Sequence, residues 1–189
     1  MPVWCSKLLE SQSEIHAARA EREAEVHGND SWFALRVKPR HEKVVDESAR
    51  SKGYASFLPT FRKRHRSGGR VHEVDVPLCS GYVFCRFDPV DRLPLLKIPG
   101  VFYIVSLGRN PVPIDETQVE HLRVVSKSGL GMPWPYLPSG ARVRIVDSAF
   151  QGLQGVLISA KGRDRLVVSL DLLQRSVAVE IDRNWVRPC

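Results

Sequence analysis

Cysteine is scarce in this sequence, and the four cysteines are scattered over 189 residues without a Cys-X-X-Cys pair: Cys5, Cys79, Cys85 and Cys189. Structural zinc sites and disulfide-rich domains need closely spaced thiols or thiol–imidazole pairs. The spacing therefore argues against both, and it favours buried or spare thiols in a reducing cytoplasm. We expect this chain to hold no metal and no cofactor.

Long apolar runs are also missing, and no stretch approaches the length of a membrane-spanning helix. Residues 1–30 do not resemble a secretory signal, because no cationic patch is followed by an apolar stretch. Hydrophobic residues nevertheless make up 43% of the chain, which is enough for a buried core. The sequence therefore predicts a cytoplasmic protein with no membrane partner.

The sequence also lacks a recognisable arrangement of catalytic residues. His41, His72 and His121 lie far apart, with no Asp, Glu or Ser at a catalytic spacing, so we interpret them as surface or helix-terminal residues. Gly152 and Gly155 lack the Lys-Ser/Thr of a phosphate-binding loop and are interpreted as turn glycines. A nuclease would need clustered carboxylates or a His–acid pair. We expect a binding protein rather than an enzyme.

Positive charge is present in excess but is unevenly distributed. The net charge of the whole chain is +7. Residues 1–30 carry −3, residues 31–127 carry +7 and residues 139–189 carry +3. The excess therefore belongs to the folded segments and favours a polyanionic neighbour.

Composition divides the chain into four segments. Residues 1–30, rich in Ala, Glu and Ser, are predicted to be a flexible leader. Residues 31–127 mix strand and helix patterns and predict an α+β domain, an antiparallel sheet flanked by helices. Its apolar runs predict strands at Trp32–Val37, Tyr54–Pro59, Gly81–Phe87 and Val101–Ser106, and Asp115–Lys127 predicts a helix with Asp115 near its start. Residues 128–138 are rich in Gly and Pro and predict an irregular linker. Residues 139–189 contain short apolar stretches between turns and predict a small SH3-like β-barrel.

The α+β segment contains a basic hairpin. Alternating residues flank the turn at Ser67-Gly68-Gly69, and the basic side chains concentrate near that turn: Arg62, Lys63, Arg64, His65, Arg66 and Arg70. The cluster favours contact with nucleic acid or with one side of a protein cleft. The alternative is a solvated hairpin tip whose charges maintain solubility and protect the strand edges.

Two segments resemble the NusG family of transcription factors. The first, Trp32 to Lys127, is similar to the family's N-terminal domain and contains Gly81-Tyr82-Val83-Phe84 where that family has Pro-Gly-Tyr-Val-Phe. Cys79 and Ser80 depart from the usual aromatic residue and proline. The second segment resembles a KOW module, and its matching residues are Val143-Arg144-Ile145, Phe150, Gly152, Gly155-Val156 and Val179-Glu180-Ile181-Asp182.

The resemblance implies a factor that binds bacterial RNA polymerase during elongation and suppresses pausing or termination. The Val-Lys-Pro-Arg-His start and the basic hairpin resemble specialised paralogues that act on long operons. In this family an apolar concavity grips the clamp helices of the polymerase's largest subunit. The matching residues here are Phe33, Cys79, Tyr82, Phe84 and Phe102. Side chains alternate along this strand, so Tyr82 and Phe84 lie on one face and their neighbours on the other. Either of these two sets can face the core.

The KOW module in this family binds the termination factor Rho or a small-subunit ribosomal protein. The resemblance implies that Phe150, Leu153 and Ile158 form an exposed apolar edge for such a partner, with core packing as the competing interpretation. KOW modules also occur in ribosomal proteins. A ribosome- or RNA-associated binding protein is therefore the alternative function.

Overall fold

A computed structural model describes residues 30–189, apart from residues 68, 138, 139, 141 and 161. Residues 1–29 of the predicted leader lie outside the described residues. The described chain is a mixed α and β structure with two main sheets, which confirms the predicted fold class. None of its helices, within the described ranges, is long and apolar enough to cross a membrane.

The N-terminal sheet has four antiparallel strands in the order β2-β5-β1-β6. Their bounds are Ser31–Val37 for β1, Ala55–Phe57 for β2, Tyr82–Phe87 for β5 and Val101–Ile104 for β6. The predicted strands agree with these bounds to within a few residues. A separate pair, β7 (Ser106–Leu107) and β8 (Asn110–Pro111), follows β6.

Each face of the N-terminal sheet is covered by helices. Side chains alternate along β1, so Phe33, Leu35 and Val37 pack against α1 (Glu42–Ser51) and α2 (Leu93–Leu96). Trp32 and Ala34 instead pack on the opposite face against α3 (Glu116–Ser128). Two apolar layers therefore sandwich the sheet.

The ends of α3 follow from its flanking residues. The Asp115 carboxylate accepts hydrogen bonds from the backbone N–H groups of Thr117 and Gln118, at 2.7 and 3.3 Å. Such a cap satisfies amides that have no partner within the helix. At the other end Gly129 adopts a left-handed conformation, with φ of 68°, and ends the helix. The predicted start of this helix at Asp115 is confirmed.

The basic hairpin forms a two-stranded sheet of its own. β3 (Thr60–Ser67) pairs with β4 (Arg70–Pro77), and the described strand pairings join this pair to no other strand. At its base, Ser126 of α3 accepts a hydrogen bond from the Thr60 backbone N–H at 2.9 Å and donates one to the Thr60 carbonyl at 3.0 Å. The arm is therefore anchored to the helix at one end.

The C-terminal sheet has six antiparallel strands in the order β14-β10-β11-β12-β13-β9. The strand bounds are β9 (Met132–Trp134), β10 (Arg142–Ile145), β11 (Gln154–Ala160), β12 (Arg163–Leu170), β13 (Arg175–Glu180) and β14 (Val186–Pro188). Among the described residues no pairing joins β14 to β9. The β-rich prediction is confirmed, whereas the ring of hydrogen bonds that would close a barrel is incomplete.

The segment predicted to be an irregular linker contains β9, so that part of the prediction is wrong. Met132, Pro133 and Trp134 lie opposite Ala178, Val177 and Ser176 of β13. Proline is tolerated here because β9 is an edge strand. The Gly and Pro content of the segment predicted no strand, because β9 is stabilised by its pairing with β13 rather than by its own sequence.

One continuous apolar cluster joins the two sheets. It includes Trp32 and Phe84 of the N-terminal sheet, Leu122 of α3, and Leu166 and Val177 of the C-terminal sheet. The helix α3 thus lies between the sheets and contacts a strand of each, β1 and β12. A hydrophobic cluster of this kind stabilises the arrangement roughly in proportion to the apolar area that it removes from water.

Candidate functional site

Three side chains from neighbouring strands form a row across the face of the N-terminal sheet that α3 partly covers. Arg36 of β1 lies opposite Tyr82 of β5 and opposite Tyr103 of β6. Directly opposed residues of antiparallel strands point to the same side of a sheet. The Arg36 guanidinium carbon lies 4.8 Å from the centre of the Tyr82 ring, which is a cation–π distance. We call these residues the Tyr82–Arg36–Tyr103 row.

The row is open to solvent at its β6 end. Tyr103 is 53% exposed and its neighbour Phe102 is 54% exposed, which is unusual for large aromatic side chains. The register shifts between Arg36 and Val37, opposite Phe102. Such an irregularity redirects side chains at the edge of a sheet. Phe102 and Tyr103 therefore form an accessible aromatic surface beside the positive charge of Arg36.

Arg36 makes no ion pair among the described residues. Its guanidinium donates one long hydrogen bond, 3.4 Å, to the carbonyl of Gly81. Most of its five N–H donors are thus free for an external acceptor. The row therefore combines aromatic area with an available planar cation.

Gly81 sets the position of this row. Its φ of 80° lies in the left-handed region, and a Cβ there would collide with Nη1 of Arg36. Its carbonyl also accepts the Val37 backbone N–H at 2.9 Å, while its own N–H donates to Oε1 of Glu42 at 2.9 Å. Glycine is therefore required at the first turn of the Gly-Tyr-Val-Phe motif.

Three of the five residues predicted to contact the polymerase are buried, and the structure removes them from the accessible surface. Phe33 faces α1, and its ring centre lies 4.6 Å from that of Phe87. Phe84 lies with the α3 residues of the apolar cluster and is fully buried. Burial raises the pKa of the Cys79 thiol to about 12, so this side chain is a neutral core residue.

Tyr82 and Phe102 remain as accessible members of the predicted set, with Tyr82 half-buried. Arg36 and Tyr103 were missed. The alternation of Phe33, Leu35 and Val37 already indicated that Arg36 points away from the α1 face. Its alignment with Tyr82 and Tyr103 depends on strand register across the sheet, which that pattern does not specify.

The basic cluster lies on the exposed arm, as the sequence predicted. All six of its members are exposed: Arg62, Lys63, Arg64, His65, Arg66 and Arg70. One ion pair is described within the arm, at 3.7 Å between Arg64 and Glu73. Exposed pairs of this kind contribute little to stability, and no other member of the cluster makes an ion pair among the described residues.

The predicted partner-binding edge of the C-terminal sheet is wrong for two of its three residues. Phe150 and Leu153 are buried in the apolar cluster. The turn that carries them is joined to Ile145, the last residue of β10, by backbone hydrogen bonds from Ile145 N–H to the Leu153 carbonyl and from Gly152 N–H to the Ile145 carbonyl, both at 2.9 Å. Ser148 adopts a left-handed conformation in this turn, with a φ of 80°. Ile158 is half-buried and stays a candidate.

A cleft of about 340 Å³ lies between the start of α3 and the C-terminal sheet. His121 and Gln118 line it from α3, and Arg142, Gln154 and Asp171 line it from the other side. Burial lowers the pKa of His121, although Asp115 and Glu120 oppose the shift. His121 lies within α3 rather than at its end, so the helix-terminal interpretation is wrong for this residue, whereas its half-buried position in the lining of the cleft leaves it at the surface.

Comparison with known proteins gives consistent matches. A family model described as "Transcription termination factor nusG" matches residues 30–123. The "Transcription termination/antitermination protein NusG" of Lactococcus lactis subsp. lactis is 26% identical over 176 residues, which covers 84% of this chain and 92% of the relative. A protein of the same name from Thermus thermophilus is 26% identical over 133 residues, covering 64% of this chain and 72% of the relative.

The solved structure "Domain interaction in Thermotoga maritima NusG" matches with a TM-score of 0.52 at 18% identity. The match covers 84% of this chain and 96% of that chain. At this identity the match supports the fold alone. The similarity in sequence and in fold extends over most of the chain rather than over the N-terminal sheet only.

Proposed function

This chain is a NusG-like factor, and we propose that it binds RNA polymerase during elongation and suppresses pausing and termination. The printed names of its relatives, which refer to termination and antitermination of transcription, support this proposal. The proposed role is that of a binding factor without catalysis of its own. Action at long operons is the more specific form of the proposal, and a gene position at the head of a long biosynthetic operon would support it.

The observation that carries the proposal is the Tyr82–Arg36–Tyr103 row together with Phe102. Tyrosine and arginine are the residue types that most often dominate the free energy of protein–protein binding. A flat row of aromatic side chains suits the apolar side of a helix, as in helix-in-groove recognition. The proposed ligand of this row is therefore the pair of clamp helices on the polymerase's largest subunit.

Binding alone accounts for the proposed effect on elongation. A factor that binds the active, closed form of the polymerase more tightly than the paused form shifts the equilibrium towards the active form. The size of the shift equals the difference between the two binding free energies. The factor therefore needs affinity for one conformation and no reactive group.

The C-terminal sheet is proposed to recruit a second protein, either Rho or a small-subunit ribosomal protein. Apolar contact area in this part of the chain is offered by half-buried Ile158 of β11, by Val146 after β10, which is 42% exposed, and by Leu172 in the turn after β12, which is 37% exposed. A partner held by a covalently attached module is present near the polymerase at a high effective concentration. Residues 31–127 and the C-terminal sheet are thus proposed as two functional modules.

The test uses the full chain and purified RNA polymerase treated with nuclease. We expect the chain to co-elute with the polymerase after nuclease treatment and to shorten pauses in a reconstituted elongation assay. Loss of co-elution after nuclease, with co-sedimentation on ribosomes, would instead support the RNA- or ribosome-associated alternative. A chain that binds the polymerase without changing pause lifetimes would contradict the proposed suppression of pausing.

A further inference from the structure

The two faces of the β3–β4 arm differ in charge. Strand register places Arg62 opposite Asp75, Arg64 opposite Glu73 and Arg66 opposite Val71. Because opposed residues share a face, this side of the arm matches two of its three arginines with carboxylates. We call it the balanced face.

The other side of the arm has cations without carboxylates. Lys63 lies opposite Val74, His65 lies opposite His72, and Arg70 follows at the level of Ser67. Each of the cationic and histidine side chains on this side is exposed. No acidic residue occupies this side at any level of the paired strands. We call it the cationic face.

The spacing on the cationic face suits a phosphate backbone. Lys63, the histidine pair and Arg70 occupy successive levels two residues apart, which is about 7 Å at the rise of an antiparallel strand. A nucleic-acid backbone carries a regular series of negatively charged phosphates, so a row of cationic levels can contact several of them at once. Lysine, arginine and histidine supply N–H donors for phosphate oxygens.

The arm is also held ready for such a contact. The two hydrogen bonds between Ser126 and Thr60, and a third from the Leu78 backbone N–H to the Pro59 carbonyl at 2.8 Å, anchor its base. Both strands contain eight residues, so the arm extends about 25 Å from that anchor. A preorganised arm loses less conformational entropy on binding than a flexible loop.

We propose that the arm binds the phosphate backbone of nucleic acid through the cationic face alone, independently of base sequence. Lys63 and Arg70 supply the positive charge. His65 and His72 lie between these two residues and donate hydrogen bonds to the phosphate oxygens. The balanced face is turned away from the nucleic acid. This inference rests on the proposed function, because a chain bound to RNA polymerase during elongation lies beside nucleic acid. Phosphate binding itself is measured without polymerase, so the two proposals fail separately.

The experiment compares two double variants with equal net charge. Lys63→Gln/Arg70→Gln neutralises the cationic face, and Arg62→Gln/Arg64→Gln neutralises the balanced face. Each is titrated against short fluorescein-labelled single-stranded DNA, single-stranded RNA and duplex DNA at several salt concentrations, with anisotropy as the readout. Far-ultraviolet circular dichroism of each variant checks that the fold is retained.

Loss of two phosphate contacts should reduce the slope of log K against log salt by about 1.4 for a single strand. We expect this reduction for Lys63→Gln/Arg70→Gln, and little change for Arg62→Gln/Arg64→Gln. The exchange Lys63→Arg/Arg70→Lys should restore the wild-type slope, because it retains both charges. The oligonucleotide that the wild-type chain binds most tightly at a given salt concentration identifies whether DNA or RNA is the preferred source of phosphate.

Two results would overturn the proposal, and a third would contradict its sequence-independent form. Equal reductions in both double variants would mean that only net charge matters, and that the arm has no preferred face. Absence of binding by the wild-type chain to all three oligonucleotides at low salt would mean that the cationic face is a solvated surface. Reduced slopes that depend on base sequence would contradict the sequence-independent form of contact.

Discussion

The carboxylate of Glu42 accepts a hydrogen bond from the backbone N–H of Gly81 at 2.9 Å, in a buried position. This contact joins the first turn of α1 to the turn that precedes β5. The Gly81 carbonyl in turn accepts hydrogen bonds from Arg36 and Val37. The orientation of the Tyr82–Arg36–Tyr103 row therefore depends on a carboxylate on the opposite side of the sheet.

Removal of the Glu42 carboxylate should destabilise the protein. In Glu42→Ala the buried Gly81 N–H loses its acceptor, and an unsatisfied buried donor costs about 1–3 kcal/mol. Glu42→Gln retains an acceptor oxygen and should lose less. Urea unfolding of both variants measures the difference, and equal midpoints for the two would show that the hydrogen bond contributes little.

The Tyr82→Ala variant should bind RNA polymerase about 30-fold more weakly while remaining folded. An aromatic anchor contributes about 2 kcal/mol to an interface, and about 1.4 kcal/mol corresponds to a tenfold change in affinity. Val44→Ala is the matched control, because Val44 is an exposed apolar residue on α1, on the other side of the sheet. Equal affinities of the two variants in a titration of labelled polymerase would exclude Tyr82 as an anchor.

The C-terminal sheet should need β9 to fold by itself. A fragment of residues 130–189 retains Met132–Trp134 beside β13, whereas a fragment of residues 139–189 exposes the β13 edge. It also loses the Trp134 ring, whose centre lies 5.1 Å from the guanidinium of the largely buried Arg165. We expect that only the longer fragment unfolds cooperatively on heating, as measured by circular dichroism. A cooperative transition at the same temperature in the shorter fragment would make β9 dispensable.

Stability should fall as the pH decreases through the ordinary pKa of histidine, and His121 should contribute to that fall. Burial lowers the pKa of His121 in the folded chain below its usual 6.5, so the unfolded chain binds a proton first. The contribution is fully present above pH 6.5, and it is lost progressively between 6.5 and the lower pKa of the folded state.

Melting temperatures between roughly pH 8 and pH 5.5 measure this loss. His121→Gln should flatten the decline because it removes the buried titrating group. Parallel curves for His121→Gln and the wild-type chain would show that the cleft between α3 and the C-terminal sheet is not sensitive to this proton.

The sequence determined the local elements and their order. The apolar run Trp32–Val37 predicted β1, Asp115 predicted the start of α3, and the turn glycines predicted the hairpin arm with its basic cluster. Each of these features depends on interactions between residues close in sequence, such as a cap, a turn or a period-two pattern. The family resemblance added the two-part organisation.

Tertiary structure decided which of the motif residues are accessible. Phe33, Cys79 and Phe84 belong to the same motifs as Tyr82, yet helices and the second sheet cover them. Arg36 meets Tyr82 and Tyr103 only through register between strands distant in sequence. The strand β9 exists only because β13 offers an unpaired edge. Pairing between distant strands, and burial of side chains by other elements, depend on the tertiary structure. Local sequence patterns therefore did not specify them.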